Sequence, residues 1–281
     1  MDPLVVAMVL AAAVMHAVWN TFLKIGADRL MTLAVVIGIT GVLAPALVAA
    51  APAPAPESWK FIALSVAIHT AYFFLLVQAY RVGDLSFAYP LARGAAPLLV
   101  AAGSALFAGE FLGVYEVAGI AVISGGIFSL MLGGGYGLRA DWRVIAYPLA
   151  TGVMIAAYTV TDGLGIRLSG SPAGYIGWLF ILSAVPITLF ALARRGASAF
   201  AFLRRDWRQC VLSGGLAFTA YGLAIWALSL SPMAHVSALR ETSVVIAALI
   251  GTRLLGEPHG RARVLSAATV AGGVVLLNLA A

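Results

Sequence analysis

The chain is short of everything that keeps a protein dissolved in water. Only 10% of its 281 residues are charged, against 62% that are hydrophobic, and its mean hydropathy is +1.02. A domain in water cannot cover its surface with so little polar material, and no polar stretch between the apolar runs is long enough to fold as a soluble domain. A single cysteine, Cys210, excludes an internal disulfide and a cysteine-based metal cluster; it reads as a buried apolar thiol. The formal charge of +6 comes from basic residues in short turns, with no stripe or tract among them, so nucleic acid is excluded as a partner. His-Glu-x-x-His, paired catalytic aspartates and a serine–histidine dyad at workable depth are also missing. Their absence argues against an intramembrane enzyme, and no metal or cofactor is expected.

What remains is apolar sequence in lengths that fit a bilayer. About 20 apolar residues cross roughly 30 Å of hydrocarbon. Ten segments qualify, at 3–23, 30–51, 59–80, 85–107, 113–133, 143–165, 173–193, 208–230, 233–255 and 261–280. Lipid offers no partner to an open backbone, so all ten are expected to be α-helices. Met-Asp-Pro leads straight into Leu4–Val18 with no basic segment before it, so the first run reads as a retained span and not a cleaved signal. The Ala/Pro tract 49–56 follows a second span and reads as a stiff extended loop.

The chain also repeats. A shift of 147 residues lays Arg93 on Arg240, Ala101 on Ala248, Gly109-Glu110 on Gly256-Glu257, Gly113 on Gly260 and Gly125-Gly126 on Gly272-Gly273. Chance apolar similarity would not align the charges. With a register looser by a residue or two, Ala71-Tyr72 faces Ala220-Tyr221, and His16 to Asn20 faces Tyr158 to Asp162. The expected architecture is therefore all-α, with ten transmembrane helices in two five-helix repeats, residues 1–137 and 138–281. Because five is odd, the second repeat should enter the membrane inverted, which places a solute site between the halves. Thirteen Lys and Arg follow odd-numbered spans, against Lys60 and Arg167 on the other side. This count puts the odd-numbered connections in the cytoplasm and both termini outside.

Several polar residues lie where lipid should not tolerate them. Arg93 and Arg240 fall near mid-depth, where a charge costs roughly 2.5–3.5 kcal/mol on insertion scales. As repeat mates they are expected to approach one cavity from opposite halves and offer donor forks to an anion. The alternative is that Arg240 pairs with Glu241 or another carboxylate and only holds the halves together. Tyr89 and Pro90 precede Arg93 and Pro97 follows it, so these prolines should bend the helix beside the cavity. His16, Trp19 and Asn20 in the first span, His69 and Tyr72 in the third, and Tyr158 with Asp162 in the sixth read either as site or as interhelical glue. Tyr221 and Trp226 read as cavity wall or packing.

His16, Asp162, His235 and Glu241 are the candidates for proton coupling, although Asp162 and His235 lie near span ends, where solvation is the plainer expectation. Glu110 and Glu257, each in a Gly-Glu turn, read as structural caps on the next helix. The paired glycines 125–126 and 272–273 read as close helix contacts.

These residues resemble the drug/metabolite transporter superfamily, EamA type. The resemblance rests on Ala-Tyr-Pro-Leu-Ala-Arg-Gly at 88–94 with Gly-Glu at 109–110, on Ala-Leu-Arg-Glu at 238–241 with Gly-Glu at 256–257, and on His-Ala-Val-Trp-Asn-Thr at 16–21 with Lys24. It implies an alternating-access carrier in a bacterial inner membrane, with a central pocket walled by the first, third, fourth, sixth, eighth and ninth helices. Members are mostly exporters or exchangers of amino acids, other metabolites, nucleotide sugars or sugar phosphates. The expected solute is a small anionic or zwitterionic metabolite, amino-acid-like, with a phosphonate or organic phosphate as the alternative. Organic-phosphate exchangers carry a second basic residue beside the position of Arg240, where this chain has Leu239 and Glu241.

Overall fold

A computed structural model describes residues 1–25, 28–82, 85–130, 142–196, 198–254 and 260–279. Among them there are only helices and their connections. In chain order these are α1 (Pro3–Ile25), α2 (Arg29–Leu43), α3 (Pro45–Ala50), a 3₁₀ turn (Pro56–Ser58), α4 (Trp59–Val82), α5 (Leu85–Ala108), α6 (Val114–Ser129), α7 (Arg143–Leu168), α8 (Pro172–Arg195), α9 (Ser198–Leu230), α10 (Met233–Arg240), α11 (Thr242–Leu254) and α12 (Gly260–Leu279).

All ten apolar segments are helical over their described residues, and two of them are broken. The second divides at Ala44, where Pro45 supplies no N–H and opens α3. The ninth divides at Glu241. There the Glu241 N–H bonds back to Ala238 O and the Val244 N–H to Glu241 O, three-residue steps that replace the usual four. By contrast, α5 runs unbroken through Pro90 and Pro97. In α9 the backbone departs from helical values at Asp206 (φ −112°, ψ 23°), separating a basic lead-in from the apolar length that follows.

Among the described residues, seven helical stretches are long and apolar enough to cross a membrane. Val114–Ser129 and Val264–Asn278 are apolar but shorter; at 1.5 Å per residue the first reaches only about 24 Å. The outside of the bundle is itself apolar: Val42, Leu106, Phe111 and Leu265 are 78%, 75%, 84% and 69% exposed. Such a surface is stable against acyl chains and not against water. The chain is an integral membrane protein.

The packing follows the sequence repeat. α6 lies against α12 and α2 against α8. α4 packs on α7 as α1 packs on α9, and α5 on α7 as α1 on α11. Exchanging the first five segments with the last five maps each of these interfaces onto itself or onto another.

The α6–α12 interface depends on small residues. A Cβ on Gly119 would come within 2.8 Å of Leu277 N, and one on Gly273 within 2.9 Å of Gly119 O. At these distances backbone, not a flexible side chain, would have to move. Gly126 also lies in the contact and its carbonyl accepts from Ser266 Oγ. Gly125 and Gly272 face open space, so one glycine of each pair makes the close approach expected of both. Gly119→Leu or Gly273→Leu should lower the stability of the purified protein by about 1–3 kcal/mol through overpacking, seen as a fall in thermal denaturation midpoint in detergent. Gly125→Ala and Gly272→Ala should leave that midpoint unchanged.

Candidate functional site

The two arginines meet at the break in the ninth segment, but they are not equivalent there. Arg93, on α5, reaches across the halves: its Nε lies 2.9 Å from Glu241 Oε2, and its Nη2 donates to Ser243 Oγ at 3.3 Å. The Nε contact is an ion pair without the alignment of a hydrogen bond. Both side chains are almost fully buried. It is thus Arg93, and not Arg240, that Glu241 neutralises.

Arg240 is also buried, at 8% exposure, and its guanidinium carbon stands 5.5 Å from the centre of the Tyr221 ring. No carboxylate among the described residues lies at ion-pair distance from it. Cation–π attraction offsets part of its desolvation, but the charge has no anion. Tyr89 sits on the same wall, and its hydroxyl approaches Ser243 without a hydrogen bond. His16, on α1, lies in the field of both guanidinium groups with its ring edge-on to Trp19 at 5.2 Å. The Asn20 amide donates to the His16 carbonyl at 3.0 Å, a bond within its own helix. Trp19 and Tyr72 pack against the apolar cluster of Met31, Leu33 and Phe73.

A second polar cluster lies beside the first. The Tyr158 ring stacks on His69, centroids 4.2 Å apart, and meets Tyr72 and Tyr221 edge-on at 5.7 and 6.0 Å. Tyr72 and Tyr221, matched by the repeat, therefore flank one ring. The Tyr221 hydroxyl lies 2.7 Å from Asp162 Oδ2 and 3.0 Å from His69 Nε2. The Tyr175 hydroxyl donates to Asp162 Oδ1 at 3.1 Å. The expectation that Asp162 is solvated fails: α4, α8 and α9 enclose α7 at this level, and Asp162 is 0% exposed.

One end of the bundle is closed by ionic contacts between the halves. Glu110 Oε1 pairs with Arg167 Nη1 at 2.6 Å, while Glu110 Oε2 accepts the Met233 N–H at 2.8 Å. Arg167 also donates to the carbonyls of Leu228 and Ser231 at 2.9 and 2.8 Å. Glu110 therefore does cap a helix start, but it caps α10 and not the next helix; Gly113 N–H at the start of α6 is taken by Glu116. Glu257 lies outside the described residues.

His235, expected to be solvated, is 1% exposed and its Nε2 lies 2.9 Å from Glu116 Oε1. The Ala/Pro tract is helical to Ala50 and extended beyond it. It docks on the α7–α8 turn through Ala55 N–H to Ser169 O and Ser171 Oγ to Pro52 O. Trp226 is 42% exposed and faces outward, so it walls nothing.

At the opposite end a cavity of about 610 Å³ opens between α4 and α8, with Phe73, Gln78, Arg81 and Arg194 in its lining. It lies away from Arg93 and Arg240, and the side chains around those two are packed together. Sequence reasoning missed Tyr175, Ser243, Glu116 and the clamp made by Arg167. A tyrosine thirteen positions from Asp162 carries no local signal, and Arg167 read only as one of two basic residues on its side.

Residues 142–279 match the model of the EamA-like transporter family. No curated protein matches the chain. A crystal structure of another protein, 18% identical, covers 98% of this chain and 96% of its own length with a TM-score of 0.74. It shares the fold.

The cross-half ion pair generates a stability prediction. Glu241→Ala leaves Arg93 charged and buried without a partner, and should cost about 3–5 kcal/mol. The double variant Glu241→Ala with Arg93→Leu should recover most of the loss in thermal denaturation midpoint, because no buried charge is then stranded.

Proposed function

We propose that this chain, which belongs to the EamA-like transporter family of the drug/metabolite transporter superfamily, is a secondary-active carrier of a small zwitterionic or anionic metabolite, amino-acid-like in its charge pattern. One observation carries the reading. Of three buried charges around the break in the ninth segment, Arg93 and Glu241 neutralise each other, and Arg240 is left with an aromatic ring as its neighbour. The site thus holds one unanswered positive charge. A single carboxylate answers it, and charge-assisted N–H···O bonds in a dry site are strong.

Glu241 lies in the adjoining position, where an ammonium group on the same solute would compete with Arg93 for it. Tyr89, with an unpartnered buried hydroxyl, and His16 complete the wall. An organic phosphate brings two negative charges to one free guanidinium, so the charge balance favours the carboxylate. A helix broken at the site also fits a carrier, because freed backbone ends are where such proteins hold solute.

In this reading the ten segments all span the bilayer, the five-helix halves are mutually inverted, and the carrier sits in a bacterial inner membrane as an exporter or exchanger. Interchange of equivalent interfaces supports the two-fold plan. Arg81, Arg143, Arg194, Arg195, Arg204, Arg205 and Arg208 gather at one end of the helices, which is then cytoplasmic, with both termini outside. The Glu110–Arg167 clamp closes the outer end, so the arrangement is the one shut to the exterior.

A thermal-shift screen of the purified protein against amino acids, organic acids and organophosphates tests the proposal. A ligand present at a hundredfold its Kd adds about 2.7 kcal/mol of stability. Amino acids or small carboxylates should raise the midpoint, and Arg240→Gln should abolish the rise while the ligand-free midpoint stays near wild type. A response confined to organophosphates, no response to any class, or an Arg240→Gln variant that still responds would each overturn it.

A further inference from the structure

The cavity between α4 and α8 is divided along its length by chemistry. Toward the middle of the helices it is walled by Phe73 and Phe74 from α4 and by Ile187 from α8; at their ends it is walled by Arg81 and Arg194. Arg81 lies in the last turn of α4 and Arg194 in the last turn of α8. Each follows an apolar wall residue, Phe74 or Ile187, at a rise of about 10 Å along its helix. The two helices thus present one order, an apolar surface first and a guanidinium beyond it.

The cavity also reaches the outside of the bundle. Phe73 is buried and Phe74 is exposed, yet both line it, so the space runs from the interior to the lipid-facing surface. Phe74 meets Phe190 of α8 edge-on at 5.0 Å, which joins the apolar wall across the two helices. Water finds no hydrogen-bond partner on such a wall, whereas hydrocarbon needs only contact.

The charged end is built to receive an anion. Asp28 pairs with Arg195, a third arginine of the lining, at 2.8 Å, and accepts the Met31 N–H at the start of α2. Arg81 donates to Gln78 Oε1 at 3.3 Å, and the Arg194 guanidinium lies 5.4 Å from the centre of the Phe190 ring, a contact that holds its charge at the cavity wall. Among the described residues, no carboxylate lies at ion-pair distance from Arg81 or Arg194.

We propose that this cavity binds one anionic phospholipid, its phosphate held by Arg81 and Arg194 and an acyl chain laid between α4 and α8 along Phe73, Phe74 and Ile187. Arginine meets phosphate oxygens with paired N–H donors, and basic pockets between spanning helices take lipid headgroups in this way. A headgroup of net negative charge is selected, because the ammonium of a zwitterionic lipid would meet two guanidinium groups and no free carboxylate. In the orientation proposed above, the lipid comes from the cytoplasmic leaflet; the site itself requires only a bilayer. α4 belongs to the first five apolar segments and α8 to the last five, so the lipid lies between helices of both and limits how closely they approach at that end.

Arginines in a last turn also answer the helix dipole, a role that any cation fills without regard to lipid. Lipid selectivity separates the two. Native mass spectrometry of the purified full chain, released from micelles containing phosphatidylglycerol or phosphatidylcholine, counts bound lipid with no solute present and the Arg240 site unaltered. Its failure therefore leaves the carrier reading standing, and the reverse also holds. Wild type should retain one phosphatidylglycerol in preference to phosphatidylcholine. Arg81→Gln with Arg194→Gln should weaken that retention by roughly 25-fold, about fivefold for each basic residue. Arg204→Gln with Arg208→Gln, at the same end but outside the cavity lining, should leave it near wild type. Val77→Trp fills the chain-binding part with both arginines intact and should also lose the lipid. Glycerol phosphate, which has the head chemistry without the chain, should not displace it. Equal retention of the two lipids, equal losses in the two double variants, or a Val77→Trp protein that binds like wild type would each overturn the proposal. So would displacement by glycerol phosphate, which would make this a site for a soluble anion.

Discussion

A charge inside a bilayer must find its partner within the protein, and the architecture of this chain follows from that requirement. Water would neutralise a stranded guanidinium from any direction, whereas lipid does not. The Arg93 charge is met by Glu241 from the other half, and the Glu110 charge by Arg167, also from the other half. These pairs fasten helices of the first five apolar segments to helices of the last five. Apolar contact alone could not do so in lipid, since acyl chains compete for the same surface. What distinguishes one arrangement of the halves from another is therefore which charges can be paired in it.

The backbone obeys the same constraint. α6 and α12 approach so closely that a Cβ at Gly119 or Gly273 would strike backbone, and this fit replaces the hydrophobic drive that water would supply. The ninth segment breaks at Glu241, where the freed groups are held among buried polar side chains and away from acyl tails. The break turns Arg240 and Glu241, neighbours in sequence, to different partners: Glu241 to Arg93, Arg240 to the Tyr221 ring. The site has a net positive charge for that reason. A regular helix would carry the two residues on side-by-side faces without deciding which arginine the carboxylate serves.

Much of the plan was legible in the residues. Length and hydropathy located all ten helical segments, since a span must be long and apolar whatever it packs against. The repeat located Arg93 and Arg240 as mates and put Tyr72 and Tyr221 in equivalent places, and both rings do meet Tyr158. Legibility failed where the partner comes from far along the chain. Asp162 and His235 look solvated by their nearness to span ends, yet each is buried by helices whose approach no local pattern records. Glu110 reads as the cap of the helix that follows it and caps one more than a hundred positions away. Pro90 and Pro97 lie inside a continuous α5, while the break at Glu241 carries no proline to announce it.

The sequence by itself determined that this protein lives in lipid, that it is helical, and that two arginines fall inside long apolar segments. These follow from composition and periodicity, which act on each segment separately. Only the tertiary structure decided that Glu241 serves Arg93, that Arg240 has no carboxylate at ion-pair distance among the described residues, and that His69, Tyr221 and Asp162 come within hydrogen-bond distance of one another. Pairing in a low-dielectric interior depends on which side chains are brought within about 3 Å, and that distance is set by the packing of helices remote in sequence.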